Sequence, residues 1–204
     1  MTNIARIDEK QIHKTPRGIA IYPHLTTPDT KFNSAGEYKT GLRITDKVEE
    51  QAFLTKMLAF YDGAYLQKCQ EQALKELPRE MPPWGTGKDG SLEFKFKLKA
   101  GGVSDGESWK NDPPKLFDSQ GKLIGPDHKL RIGNGSEIRI YFQLRPFYVQ
   151  KAGITLRLKA VQLIELMDYN DAAYFGVEAE EDGFVYSAPT KTEPQAATDD
   201  AIPV

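Results

Sequence analysis

The stretch from Lys129 to Leu166 constrains this chain most, because two runs within it alternate apolar and polar residues. Ile138, Ile140, Phe142 and Leu144 alternate with Arg139, Tyr141, Gln143 and Arg145. A period of two places the four apolar side chains on one face of a strand. The run Ile154 to Lys159 alternates the same way, with Arg157 and Lys159 facing outward. Between the runs, Pro146 and Gly153 are expected to interrupt pairing and leave Phe147, Tyr148, Gln150 and Lys151 at an exposed hairpin tip. The paired strands then carry one apolar face and one face of Arg, Tyr, Gln and Lys. Taken alone, that pattern also suits a half-buried antiparallel sheet whose outer face is merely solvated.

The pattern recurs upstream. Residues 1–16 show no period and read as a loose arm. Arg17 to Tyr22 reads as a first strand stopped by Pro23, followed by a loop to about Gly36. Glu37 to Ile44 reads as a second strand, with Tyr38, Leu42 and Ile44 on one face and Lys39 and Arg43 on the other. Asp46 and Glu49 form a capping-box start. A helix is expected from there to about Leu77, divided or kinked at Gly63, its stripe of Phe53, Met57, Phe60, Tyr61 and Ala64 turned to the core. Trp84 to Gly90 reads as a Gly-rich loop. Leu92 to Lys99 is the clearest alternation, with Leu92, Phe94, Phe96 and Leu98 inward and Lys95, Lys97 and Lys99 in a basic row. Lysines on an edge strand also discourage aggregation, which is the simpler account of that row. Gly101 to Pro114 reads as a long loop holding Trp109 and Lys110. Lys115 to Phe117 is a short strand, Asp118 to Asp127 is turn-like, and Arg131 to Ser136 is a tight turn.

These elements predict a mainly β protein with an inserted helix. About five strands, with the helix between the second and third, fit a small OB-like barrel. The expected organisation is one domain over 1–167 with a helical insertion at about 46–77, an acidic-aromatic segment over 168–186, and a disordered acidic tail over 187–204. At 204 residues the chain can bury one good core. It has no apolar run long enough to cross a bilayer, residues 1–16 lack a secretory h-region, and Cys69 is the lone cysteine. A soluble, cytosolic protein is expected.

Enzyme signatures are poor. His13, His24 and His128 lie far apart, in no metal-ligand spacing. Cys69 falls in a helical apolar stripe, where an inert buried thiol is the expected role. Gly85-Thr-Gly-Lys88 has part of a phosphate loop, but that motif needs glycine at position 82 and Ser or Thr at position 89, which hold Pro82 and Asp89. No enzyme, cofactor or metal is expected.

Charge is the positive signal. The net charge of −2 conceals an asymmetry. From Asp168 onward nine carboxylates face one base, Lys191, whereas residues 1–167 carry an excess of six bases. A basic body with an acidic tail points to a polyanionic ligand and a tail that competes for the same surface, or else to a tail that only solubilises. Phosphate contacts are assigned to Lys95, Lys97, Lys99, Lys110, Arg139, Arg157 and Lys159. Stacking is assigned to Tyr141, Phe147, Tyr148 and Trp109. Basic strands with aromatic platforms suit a nucleic-acid single strand, whose phosphates attract and whose base faces stack whatever the sequence. A duplex hides those faces. Two alternatives stay open: an OB-like module that binds protein, and an OB protein that binds RNA.

The run from Gly135-Ser136 into the strand, then Pro146-Phe-Tyr148 and Gly153-Ile-Thr-Leu-Arg-Leu-Lys-Ala-Val-Gln162, resembles the signature of bacteriophage OB-fold single-stranded DNA-binding proteins. Pro114-Lys-Leu-Phe-Asp118 and Gly121-Lys122 resemble the segment preceding it in that family. The resemblance implies an OB fold, coating of single strands as a dimer or cooperative filament, and a part in DNA replication, recombination and repair in the cytoplasm of an infected bacterial host. The tip Asp199-Asp-Ala-Ile-Pro-Val204 is similar to the acidic tip of bacterial single-stranded DNA-binding proteins. That similarity implies that Asp199, Asp200, Ile202, Pro203 and Val204 recruit replication proteins or compete with DNA. Val204 stands where that tip has an aromatic, and Ala201 interrupts its acidic run.

Overall fold

The computed structural model describes residues 7–125 and 130–167. The described residues form β1 (His13–Lys14), β2 (Gly18–Asp29), β3 (Glu37–Arg43), α1 (Lys47–Glu71), β4 (Trp84–Thr86), β5 (Leu92–Lys99), β6 (Gly101–Ser104), β7 (Glu107–Lys110), β8 (Lys115–Phe117), β9 (Leu123–Ile124), β10 (Glu137–Tyr148) and β11 (Ala152–Glu165). Five strands close into a ring: β10 pairs with β2, β2 with β3, β3 with β5, β5 with β11, and β11 with β10. The β5–β11 pairing is parallel and the other four are antiparallel. This is the five-stranded Greek-key barrel of the OB type, with the helix between its second and third strands as the sequence predicts.

Alternation builds the barrel interior. Ile138, Ile140, Phe142 and Leu144 are fully buried, as are Phe94, Leu156, Leu158 and Val161, while the residues between them along β10 are half-buried. Phe142 lies against Phe96 at 5.1 Å between ring centroids and against Phe53 at 6.3 Å. On β11 the apolar phase shifts between Leu158 and Val161. Tyr141 pairs with Ala160 and Phe142 with Leu158, so Lys159 is the extra residue of a β-bulge. The bulge keeps Val161 and Leu163 turned inward on the far side.

The helix starts where the sequence places it. Asp46 caps it, its carboxylate accepting from the Val48 and Glu49 N–H groups at 2.9 Å each. Phe53, Met57, Tyr61 and Ala64 are buried, with Phe53 edge-on to Phe94 at 4.9 Å. Two expectations about the helix are corrected. Gly63 does not divide it into two segments, since the helix is continuous from Lys47 to Glu71. It also stops six residues short of Leu77, because Ala73 turns left-handed (φ 53°) and the Leu74 N–H closes back onto the Cys69 carbonyl at 3.0 Å. Leu77 is buried all the same, in a small cluster with Tyr65, Cys69 and Ala152.

Other expectations are corrected too. The segment from Ile7 is not a loose arm: β1 pairs with β10, Thr15 bonds Ile140 in both directions at 3.0 Å, and Glu9 pairs with Arg145 at 2.5 Å. Pro23 does not end the first strand, which runs on to Asp29 past a bulge. Trp84–Thr86 is a strand on β5, and Gly101–Lys110 is a hairpin, β6–β7, instead of a loop. Pro146 and Gly153 do not stop pairing. Phe147 faces Gly153 and Tyr148 faces Ala152 across the ladder, leaving 149–151 as the tip. Proline is accommodated there opposite Ile154 in the ladder. The segment 168–186 and the tail 187–204 lie outside the described residues, as does His128.

A Cβ added at Gly63 would meet nothing within 4 Å, and glycine within a helix costs up to about 1 kcal/mol relative to alanine. Gly63→Ala is therefore expected to raise stability by about that amount in urea unfolding. A destabilised variant would show that the helix does bend there.

Candidate nucleic-acid interface

The ladders align outward-facing side chains into a row across the barrel. His24 on β2 pairs with Lys39 on β3, Lys39 with Lys97 on β5, Lys97 with Arg157 on β11, and Arg157 with Gln143 on β10. Adjacent strands lie about 4.8 Å apart, so three cations stand side by side across β3, β5 and β11. Their counter-ions sit to one side. Asp29 holds Lys39 at 2.6 Å, and that contact is the main cause holding the Asp29 carboxyl below its usual range. Glu37 lies 4.0 Å from Lys97.

The row joins two grooves. The first, of about 670 Å³, takes in Lys39, Lys95 and Lys97 and also Tyr22, Met81 and Phe147. Gly41 forms part of its floor, opposite Lys95 in the ladder, where an added Cβ would come within 3.0 Å of the Ile21 Cβ. Phe147 is fixed by its cross-strand partner. A Cβ at Gly153 would come within 2.7 Å of the Phe147 ring, so the absence of a side chain there seats the aromatic. Glu37, Glu80 and Glu93 also border this groove, so its charge is mixed.

The second groove, also about 670 Å³, lies across β8, β10 and β11 and gathers Tyr141, Arg157, Lys159, Lys115 and Phe117. Tyr141 is half-buried, its hydroxyl 3.5 Å from Gln162 Oε1. Asp112 alone among its lining residues carries negative charge. Burial, and then the charges of Arg157, Arg145 and Lys115, push the Lys159 ammonium below its ordinary lysine value. Lys159 faces this groove in phase with Arg157, at the bulge that returns Val161 to the core.

Other predicted residues stand apart from these grooves. Lys99 is exposed at the end of β5, opposite Glu37. Trp109 and Lys110 are exposed on the β6–β7 hairpin, where the indole lies over Gly102 as Phe147 lies over Gly153. Arg139 shares the outer face of β10 with Tyr141, half-buried, and its Nε finds no protein partner. Tyr148 points the other way, into the cluster of Tyr65, Cys69 and Leu77, so its ring serves packing. The five tail residues Asp199, Asp200, Ile202, Pro203 and Val204 lie outside the described residues. Sequence reasoning missed Tyr22, Met81, Lys115 and Phe117 as groove residues. The last two had a readable signal, since Lys115 and Phe117 flank the buried Leu116. Among the described residues no three His, Cys, Asp or Glu side chains gather as a metal group, and no helix is long and apolar enough to cross a membrane.

No protein-family model and no curated protein matches the sequence. Solved structures do. A crystal structure of gp2.5, a single-stranded DNA-binding protein encoded by bacteriophage T7, superposes with a TM-score of 0.65 at 26% identity, over 87% of this chain and 99% of that one. The single-stranded DNA-binding protein of bacteriophage Enc34 gives 0.54 at 15% identity, over 78% of this chain and 84% of that one. Its complex with single-stranded DNA gives 0.56 at 12% identity, over 83% and 100%. The structural relatives of this chain are bacteriophage single-stranded DNA-binding proteins. The phage-family resemblance read between Pro114 and Gln162 and the OB-type barrel are thereby borne out.

Like charges and burial oppose the Lys159 ammonium in the fold, so Lys159→Gln should raise the thermal midpoint at neutral pH. The sign follows from linkage. The folded-state value lies below the unfolded one, so the penalty is complete below the folded value and disappears as pH rises through it toward 10.5. The gap between variant and parent should therefore close in that alkaline window. A gap that is absent at pH 7 would show that Arg157, Arg145 and Lys115 do not strain this site.

Proposed function

We propose that this chain coats single-stranded DNA without sequence preference, with no catalytic step, in the replication, recombination and repair of a phage inside its bacterial host. The observation that carries this reading is the register of Lys39, Lys97 and Arg157, a cationic row joining two grooves that each hold an aromatic. In the proposed mechanism the row holds successive phosphates while Phe147 in one groove and Tyr141 in the other stack bases. Lys95, Lys159 and Lys115 flank the path. Trp109, Lys110 and Lys99 would meet the strand only where it passes the β6–β7 hairpin. The likeness to phage proteins that bind single strands supports the ligand class. Dimer formation, cooperative coating and recruitment of replication proteins through the tail belong to the same proposal.

Single strands release counterions on binding, with a slope of log affinity against log salt of about 0.7 per phosphate neutralised. Lys97→Ala and Arg157→Ala are each expected to reduce that slope by about 0.7, measured with oligothymidine. Tyr141→Ala should weaken binding by about 1–3 kcal/mol with little change in slope, because it removes a stacked base and no charge. Equal slopes in parent and charge variants would remove the row from the site.

In the same reading the acidic tail competes with DNA for the basic grooves. Deleting residues 187–204 is expected to tighten oligothymidine binding at low salt and to have less effect at high salt, where charge is screened. Equal affinity at low salt would leave the tail as a partner hook or a solubiliser.

A further inference from the structure

Tyr22 holds a backbone conformation that a bulky residue rarely adopts. Ile21 pairs with Gly41 and His24 with Lys39, so Tyr22 and Pro23 together oppose Thr40 in a bulge. Tyr22 sits at φ 46°, in the left-handed region that disfavours residues with a Cβ. Its N–H donates to Asn134 Oδ1 at 3.0 Å, and the turn carrying Asn134 is laced to β2 on both sides, Gly135 N–H to the Ala20 carbonyl and Ala20 N–H to the Ser136 carbonyl. The fold thus fixes Tyr22 from 112 residues away. Burial does not explain the arrangement, because the residue is 67% exposed.

Its position does. Tyr22 lines the groove of Lys39, Lys95 and Lys97, and it also lines a third groove of about 410 Å³ walled by His24, Thr26, Thr27 and Arg131. The ring therefore stands on the ridge between them. His24 belongs to both features, since it is next to Lys39 in the row that runs through Lys97 to Arg157. We propose that Tyr22 is a base-stacking pillar and that the single strand continues past it into this third groove. There Arg131 and the hydroxyls of Thr26 and Thr27 receive the next phosphate. The positive charge of Arg131 and the donors beside it match a phosphodiester, and an exposed aromatic between two grooves matches an unstacked base. This inference rests on the reading of the chain as a single-strand binder and lengthens its site by one nucleotide position or more.

The test is a length series of oligothymidines bound by the full chain and by Tyr22→Gly, Tyr22→Phe and Lys97→Ala. Glycine suits the left-handed backbone, so Tyr22→Gly should unfold at the parent's temperature or above. It should bind long oligothymidine about tenfold more weakly, the loss of one stacked base. Oligonucleotides too short to reach from the Lys97 row past Tyr22 into the third groove should lose less affinity than long ones, and Tyr22→Phe should restore long-oligonucleotide affinity. Parent-like binding of long strands by Tyr22→Gly, while Lys97→Ala is weakened, would overturn the pillar and leave the proposed function standing. A Tyr22→Gly chain without a cooperative unfolding transition would overturn the positioning argument. No binding by the parent would overturn both.

Discussion

The parallel pairing of β5 with β11 is the contact on which the rest depends. It closes the ring by setting Phe96 beside Leu156 inside the barrel, and the same register sets Lys97 beside Arg157 outside. These two results cannot be separated, because residues alternate faces and the register that buries one pair exposes its neighbours. Like charges on neighbouring strands disfavour the fold. Apolar burial on the inner face offsets that cost, and a polyanion laid across the outer face would remove it. The surface that burdens the empty barrel is thus the one that suits a phosphate backbone.

Irregularities in the strands mark the same surface. Lys159 is the extra residue of one bulge and Tyr22 belongs to another. The second aims Tyr22 into a groove where regular pleating would have placed it elsewhere, and the first returns Val161 and Leu163 to the core beyond Lys159. Glycines act in a complementary way. Gly153 and Gly102 give Phe147 and Trp109 a flat seat on the opposite strand. The outer face is therefore shaped as much by departures from the pattern as by the pattern.

Period-two alternation made the barrel strands legible, since Ile138 to Leu144 and Phe94 to Leu98 could face only one way. Asp46 and Glu49 announced the helix start, and the helical insertion falls between the expected strands. Its end was not legible, because the left-handed turn at Ala73 lies in a residue type without that preference, and Leu77 kept the apolar spacing for a separate cluster. Pro23, Pro146 and Gly153 mislead for one reason: each reads locally as a breaker, while bulge, register and a seated aromatic let the strands continue. Among the proposed site residues, the outward phase of Lys97, Arg157, Lys159 and Tyr141 is legible. That of Tyr148 is not, being one step out of phase with Phe147, and Tyr22 was hidden because its exposure arises from a hydrogen bond to Asn134 that no local pattern records.

The central claim is that the outer face binds nucleic-acid single strands through stacking and phosphates together. Intrinsic tryptophan and tyrosine fluorescence, titrated in parallel with oligothymidine and with duplex DNA at low and high salt, tests it most directly. The account predicts quenching by oligothymidine alone, weakening steeply as salt rises. Absence of quenching by either ligand, with no change of mobility on a gel, would contradict it and point to a barrel that binds protein.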